Sequence, residues 1–122
     1  MKTALVTGAG SGLGALAAQR LAAGGWEVVA ADVDEAGLAT TAFRSPTMHT
    51  RLCDVSDPKA VAEMAGEIGP LDRVVHAAGI SILGTALDQP LEELERIWRI
   101  DFLGTVHVAR ATLPRMLERG HG

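Results

Sequence analysis

The sequence predicts an α/β fold on a doubly wound parallel sheet, and three features predict it. A short apolar run, Thr3 to Thr7, ends in a turn with glycines at 8, 10, 12 and 14, and alanine and leucine at helical spacing follow from Ala15 to Ala23. A second apolar run, Glu27-Val28-Val29-Ala30-Ala31-Asp32, ends in a carboxylate. Strand-like and helix-like stretches then alternate without a hairpin signal, which calls for right-handed βαβ crossovers and a strand order of 3-2-1-4.

The elements follow in order. Strand one spans Thr3 to Thr7; helix one opens near Leu13, runs to Ala23, and is closed by Gly24-Gly25. Strand two is Glu27 to Asp32. A short helix, Glu35 to Phe43, is broken by Ser45-Pro46, and Met48 to Leu52 makes strand three. Ser56-Asp57-Pro58 caps the next helix, with proline early in its first turn where the missing N–H costs nothing. That helix runs to Ile68 and ends at Gly69-Pro70. Strand four, Leu71 to His76, carries Val74-Val75 into the sheet, and Ala77-Ala78-Gly79 lets the chain turn closely. Two helices close the chain, Pro90 to Ile100 and Asp101 to Glu118, the second bent at Pro114.

The first junction carries chemistry. Glycines there can take positive φ and leave no Cβ in the way of a ligand. The helix behind them aims unpaired N–H groups and its positive dipole end at the same place, which suits a pyrophosphate. Gly8, Gly10, Ser11, Gly12, Leu13 and Gly14 are therefore candidate cofactor contacts. Asp32 lies about 20 residues beyond the loop, where a dinucleotide fold puts the acid that accepts hydrogen bonds from the adenosine ribose. The alternative is that Asp32 caps a turn. A 2′-phosphate beside this carboxylate would be repelled, and no arginine or lysine follows Asp32 in the turn, so the predicted cofactor is NAD rather than NADP. Val33, next to Asp32, belongs to the same candidate site.

The spacing Thr7-Gly8-x-x-x-Gly12-Leu13-Gly14 resembles the cofactor signature of the short-chain dehydrogenases/reductases. Asp54-Val55 resembles the acid-apolar pair that this family places beside adenine, with N-capping of the following segment as the alternative role for Asp54. His76-Ala77-Ala78-Gly79 is similar to the family's Asn-Asn-Ala-Gly element, which adds Ala77, Ala78 and Gly79 to the cofactor site. Asp101 falls where the family has the asparagine of its catalytic tetrad, whose backbone carbonyl holds a water; it is the one catalytic candidate, beside a purely structural role. The resemblance spans the chain and implies a Rossmann-type sheet and an NAD-dependent oxidoreductase acting on an alcohol or ketone.

Two departures qualify the resemblance. His76 and Ala77 stand where the family has asparagines, so the side-chain bonds that hold this element against the glycine loop must be found elsewhere; His76 itself reads as a satisfied polar residue ending a buried strand. The family's serine and Tyr-x-x-x-Lys pair, where lysine lowers the pKa of the tyrosine base, are absent: the chain has no tyrosine, and its lysines are Lys2 and Lys59. The expectation is a Rossmann domain over residues 1–122, truncated before strand five and inactive alone, with a non-catalytic dinucleotide-binding module or partner subunit as the alternative.

Composition bounds the partners. A formal charge of −4 with no basic stripe argues against nucleic acid. No apolar run is long enough to cross a bilayer, and Met1-Lys2-Thr3 leads directly into strand one, which points to a cytoplasmic protein. Cys53 is expected to be a buried structural thiol. His49, His107 and His121 show no metal-ligand spacing, so no metal is predicted. Trp26 and Trp98 read as core or helix-packing aromatics, and Glu92 with Arg96 and Glu95 with Arg99 as a solvated helix face. The last helix keeps Phe102, Val106, Ala109, Leu113 and Met116-Leu117 on one apolar face, available to the sheet or, as the resemblance implies, to a second subunit in a homo-oligomer.

Overall fold

Four parallel strands, β1 (Thr3–Thr7), β2 (Glu27–Asp32), β3 (Met48–Leu52) and β4 (Arg73–His76), form one sheet in the order β3-β2-β1-β4. The computed structural model describes all residues from Met1 to Gly122. Helices α1 (Gly12–Ala23), α2 (Glu35–Thr41) and α3 (Pro58–Ile68) follow the first three strands; α4 (Leu91–Ile97) and α5 (Gly104–Arg119) follow the fourth. The register pairs Thr7 with Ala31 and with His76, and Asp32 with Leu52. Because every strand runs the same way, all four carboxyl ends open on one edge of the sheet.

The two faces of β1 seed two cores. Leu5 points with Ala31, Val61, Met64 and Val108 toward α3 and α5. Val6 points with Val28, Ala30, Ala18 and Leu38 toward α1 and α2. This alternation is the period-two consequence of the pleat, and burying a side chain such as Leu5 contributes about 1.5–3 kcal/mol. The edge strand β4 is only half buried.

The predicted strand order holds, and several boundaries move for identifiable reasons. α1 opens one residue earlier than expected, at Gly12. α2 stops at Thr41, short of Phe43, because its last buried side chain is Thr41, and the chain reverses at Arg44 with φ 57. β4 starts at Arg73 and not at Leu71. The Asp72 carboxylate accepts the Thr3 N–H at 2.9 Å, taking the donor that a ladder carbonyl would have used, while Leu71 plugs the core.

The expected break at Asp101 is absent. α4 runs through a π-helical turn, Trp98–Leu103, directly into α5. The widened turn fits the packing beneath it: Gly104 lies so close to Val55 that a Cβ there would sit 2.7 Å from the valine Cγ2. Trp98 is not a core residue; it is 56% exposed and stacks on Phe102 with ring centroids 4.3 Å apart. Trp26 lies at the opposite end of the sheet from the strand carboxyl ends, with Lys2 and Arg73 over its ring. No helix is long and apolar enough to cross a membrane.

Candidate dinucleotide site

A cleft of about 550 Å³ opens along the carboxyl edge of the sheet. β1 contributes Gly8 and the loop Ser11 to Gly14; β2 contributes Asp32 and Val33; β3 leads into Cys53, Asp54 and Val55. The far wall is His76 to Ile80, and Arg96 and Ile100 come over it from the late helices.

The glycine loop is shaped by contacts that admit no side chain. Gly8 has φ 67, and a Cβ on it would lie 2.6 Å from the backbone of Ala77 and Ala78. A Cβ on Gly14 would collide with the Gly8 carbonyl, which is how α1 comes tight against β1. Over Gly12, by contrast, a Cβ would meet nothing within 4 Å: the space above the helix start is open. Ser11 is the N-cap residue yet makes no capping bond, and the first-turn N–H groups have no intrahelical acceptor. Open donors and a dipole end are what a diphosphate requires.

Asp32 stands at one end. Its Oδ2 accepts the Gly10 N–H at 2.8 Å and its Oδ1 accepts the Asp34 N–H at 3.0 Å. The carboxylate thus does shape the turn, and the same two bonds hold it oriented at the cleft with lone pairs to spare. Gly10 does not line the cleft; it serves by donating to Asp32, and a Cβ there would press to 2.9 Å from Oδ2. α2 is tied back to this loop by Thr41, whose hydroxyl donates to the Ala9 carbonyl at 2.8 Å.

Asp54 accepts from the Ser56 N–H at 2.9 Å and hydroxyl at 2.7 Å. It does not cap α3; Asp57 does, accepting from Lys59 and Ala60. Cys53 is buried, and burial, followed by the charge of Asp54, pushes its thiol pKa up, so it remains protonated.

The opposite wall is held by side chains. Ala77 N–H donates to the Thr7 carbonyl at 3.2 Å, and Ala78 N–H to Thr7 Oγ1 at 3.3 Å. Thr7 Oγ1 lies 2.6 Å from His76 Nδ1. The one hydroxyl thus serves both the Ala78 N–H and the His76 ring. Burial lowers the His76 pKa, with Asp101 opposing. The bonds that sequence departures at His76 and Ala77 left open are therefore supplied by Thr7 and His76 together. His76 is not fully satisfied, however: Nε2 is buried without a partner.

Asp101 does not line the cleft. Its Oδ1 accepts the Ile80 N–H at 2.8 Å, and its backbone carbonyl accepts the Thr105 hydroxyl at 2.6 Å. It fastens the turn after β4 to the π-helical segment from behind Gly79. His107 fastens the other end, with Nδ1–H donating to the Val55 carbonyl at 2.8 Å.

Among the lining residues that the sequence did not single out as cofactor contacts are Ile80, Ile100 and Arg96, the last the only Lys or Arg of the group. The ion pair on that helix is Glu95 with Arg99, 3.7 Å apart; Arg96 instead turns to the cleft. The available signal was its spacing from Ile100, one helical turn away on the same face. Nowhere do three or more His, Cys, Asp or Glu side chains converge as a metal site.

A parallel sheet in this order, with a donor-lined glycine loop, a fixed acid after β2 and a cleft at the strand carboxyl ends, defines a Rossmann-type nucleotide-binding architecture. The chain belongs to the short chain dehydrogenase family, whose profile matches residues 2–122. It is 36% identical over 121 residues to 2-keto-3-deoxy-L-fuconate dehydrogenase of Xanthomonas campestris pv. campestris, covering 99% of this chain and 40% of that protein. It is 38% identical over 128 residues to 1-deoxy-11-beta-hydroxypentalenate dehydrogenase of Streptomyces avermitilis, covering 97% of this chain and 47% of the relative. An actinorhodin polyketide ketoreductase solved with NADPH superposes with a TM-score of 0.93 at 30% identity, over 99% of this chain and 50% of that one. The chain thus spans less than half the length of these two curated relatives.

Proposed function

We propose that these residues form the cofactor-binding half of an NAD-linked oxidoreductase that moves hydride between the nicotinamide and an alcohol or ketone. The observation that carries the choice of NAD is Asp32, oriented by Gly10 and Asp34 and followed by Val33-Asp34-Glu35 with no cation to accept a 2′-phosphate. The open loop over Gly12 supports the diphosphate, and the Asp54-Val55 pair with Ile100 supports the adenine.

When bound, NAD supplies the hydride acceptor. The residues here bind and orient it: α1 donates to the diphosphate, Asp32 accepts from ribose hydroxyls, and Ala77 to Gly79 form the wall it lies along. The family's tyrosine base is not among these residues, and we expect them by themselves to bind cofactor without turnover. Asp101 acts by holding the turn after β4 through its bond from the Ile80 N–H. The exposed Trp98–Phe102 stack, with Leu113 and Leu117 further along the helix, supports a face that packs on a second copy in a cytoplasmic homo-oligomer.

Calorimetric titration with NAD and with NADP tests the reading. NAD is expected to bind about tenfold or more tightly than NADP, the size of one lost charged hydrogen bond plus repulsion. Equal or reversed affinities would remove the NAD assignment, and no binding of either would remove the dinucleotide site.

A further inference from the structure

Arg96 is the one cation that lines the cleft, against the two carboxylates of Asp32 and Asp54. It takes no part in the chain's salt bridges, so its planar guanidinium is uncommitted. Its place follows from the helix. Gly104 is pressed against Val55, and His107 donates to the Val55 carbonyl, which pins the helix over the end of β3. Ile100 and then Arg96 lie at successive turns outward from that anchor, and both face the cleft. Val33, Val55 and Ile100 are apolar members of the cleft lining, and Arg96, exposed on α4, lines it too. The open donors at the start of α1 line the same cleft and come from the loop after β1.

We propose that Arg96 recognises the purine base of the cofactor, its guanidinium stacking on the ring face that the apolar lining leaves uncovered. The inference rests on the dinucleotide reading above and adds the residue that caps the base. A planar, weakly hydrated cation is suited to lie flat on a π-face at a partly open rim. A phosphate contact is the competing chemistry, and it differs in what it would recognise: a phosphate-bearing ligand in place of the base.

The test is a set of affinities in the full chain, wild type against Arg96→Ala, for NAD, adenosine, 2′,5′-ADP and nicotinamide mononucleotide, by calorimetry and ligand-observed NMR. Stacking at a partly exposed rim is worth about two- to fivefold in affinity. NAD, adenosine and 2′,5′-ADP should all weaken by that same factor, nicotinamide mononucleotide should not change, and the melting temperature should hold. Unchanged adenosine binding, a loss confined to 2′,5′-ADP, or an equal loss for nicotinamide mononucleotide overturns the stacking assignment while the dinucleotide site stands. Wild-type protein that binds neither NAD nor adenosine overturns both.

Discussion

The two walls of the cleft are built by different kinds of contact. On the Asp32 side, a carboxylate accepts a backbone N–H from a glycine 22 positions away, and close backbone approach sets the shape. On the β4 side, the turn hangs on the hydroxyl of Thr7 and the ring of His76, 69 positions away from each other. The first wall rests on strands buried on both faces; the second caps a half-buried edge strand. A wall made of backbone and glycine tolerates almost no substitution, whereas one made of side chains can be rebuilt with different residues. The resemblance to the family pattern departs at His76 and Ala77 on the second wall and keeps the glycines of the first.

The sharpest way to break this contrast is Gly8→Ala. The added methyl meets the Ala77–Ala78 backbone at 2.6 Å at a position with φ 67, so overpacking and left-handed strain together should cost about 2–5 kcal/mol in denaturant unfolding. Asp32→Asn keeps the shape of the first wall and removes its charge. NAD affinity should fall about ten- to a hundredfold while NADP changes less, since charged hydrogen bonds contribute about 1.5–3 kcal/mol. On the second wall, Thr7→Val is isosteric and leaves both Ala78 N–H and His76 Nδ1 without the hydroxyl; unfolding free energy should drop by about 1–3 kcal/mol.

A pH series separates the walls further. Because burial depresses the His76 pKa below its ordinary 6.5, the unfolded chain binds the proton more readily than the folded one. Its contribution is present above 6.5 and is lost as the pH falls below that value. His76→Asn should flatten the acid limb of a melting-temperature profile; an unchanged slope would show that other groups set it. The smallest effect is expected for Asp101→Asn, which keeps an oxygen for the Ile80 N–H and should shift stability by less than about 1 kcal/mol, where Asp101→Ala should cost more.

Legibility in the sequence followed the same division. The loop glycines, Asp32 and the four strands were readable because each signal is local: an apolar run, a turn residue, an acid at a set distance. Asp54 was readable as lying at the strand edge that opens on the cleft, yet the choice between it and Asp57 as helix cap needed the observed bonds. The late helices were misjudged at Asp101 because a π-helical turn leaves no local signature; Gly104 against Val55 is the contact that accommodates it. Arg96 is exposed, as its helix face suggests, and only the folded structure shows that it also lines the cleft.

What the sequence determined by itself was the parallel α/β architecture, its strand order and the glycine-rich loop after β1, since these follow from periodicity, glycine and the handedness of βαβ units. The tertiary structure alone decided the partners of Thr7, His76 and Asp101, and the place of Arg96 at the cleft. Those depend on which side chains meet across tens of residues, and hydrogen-bond geometry between such partners exists only once the chain has folded.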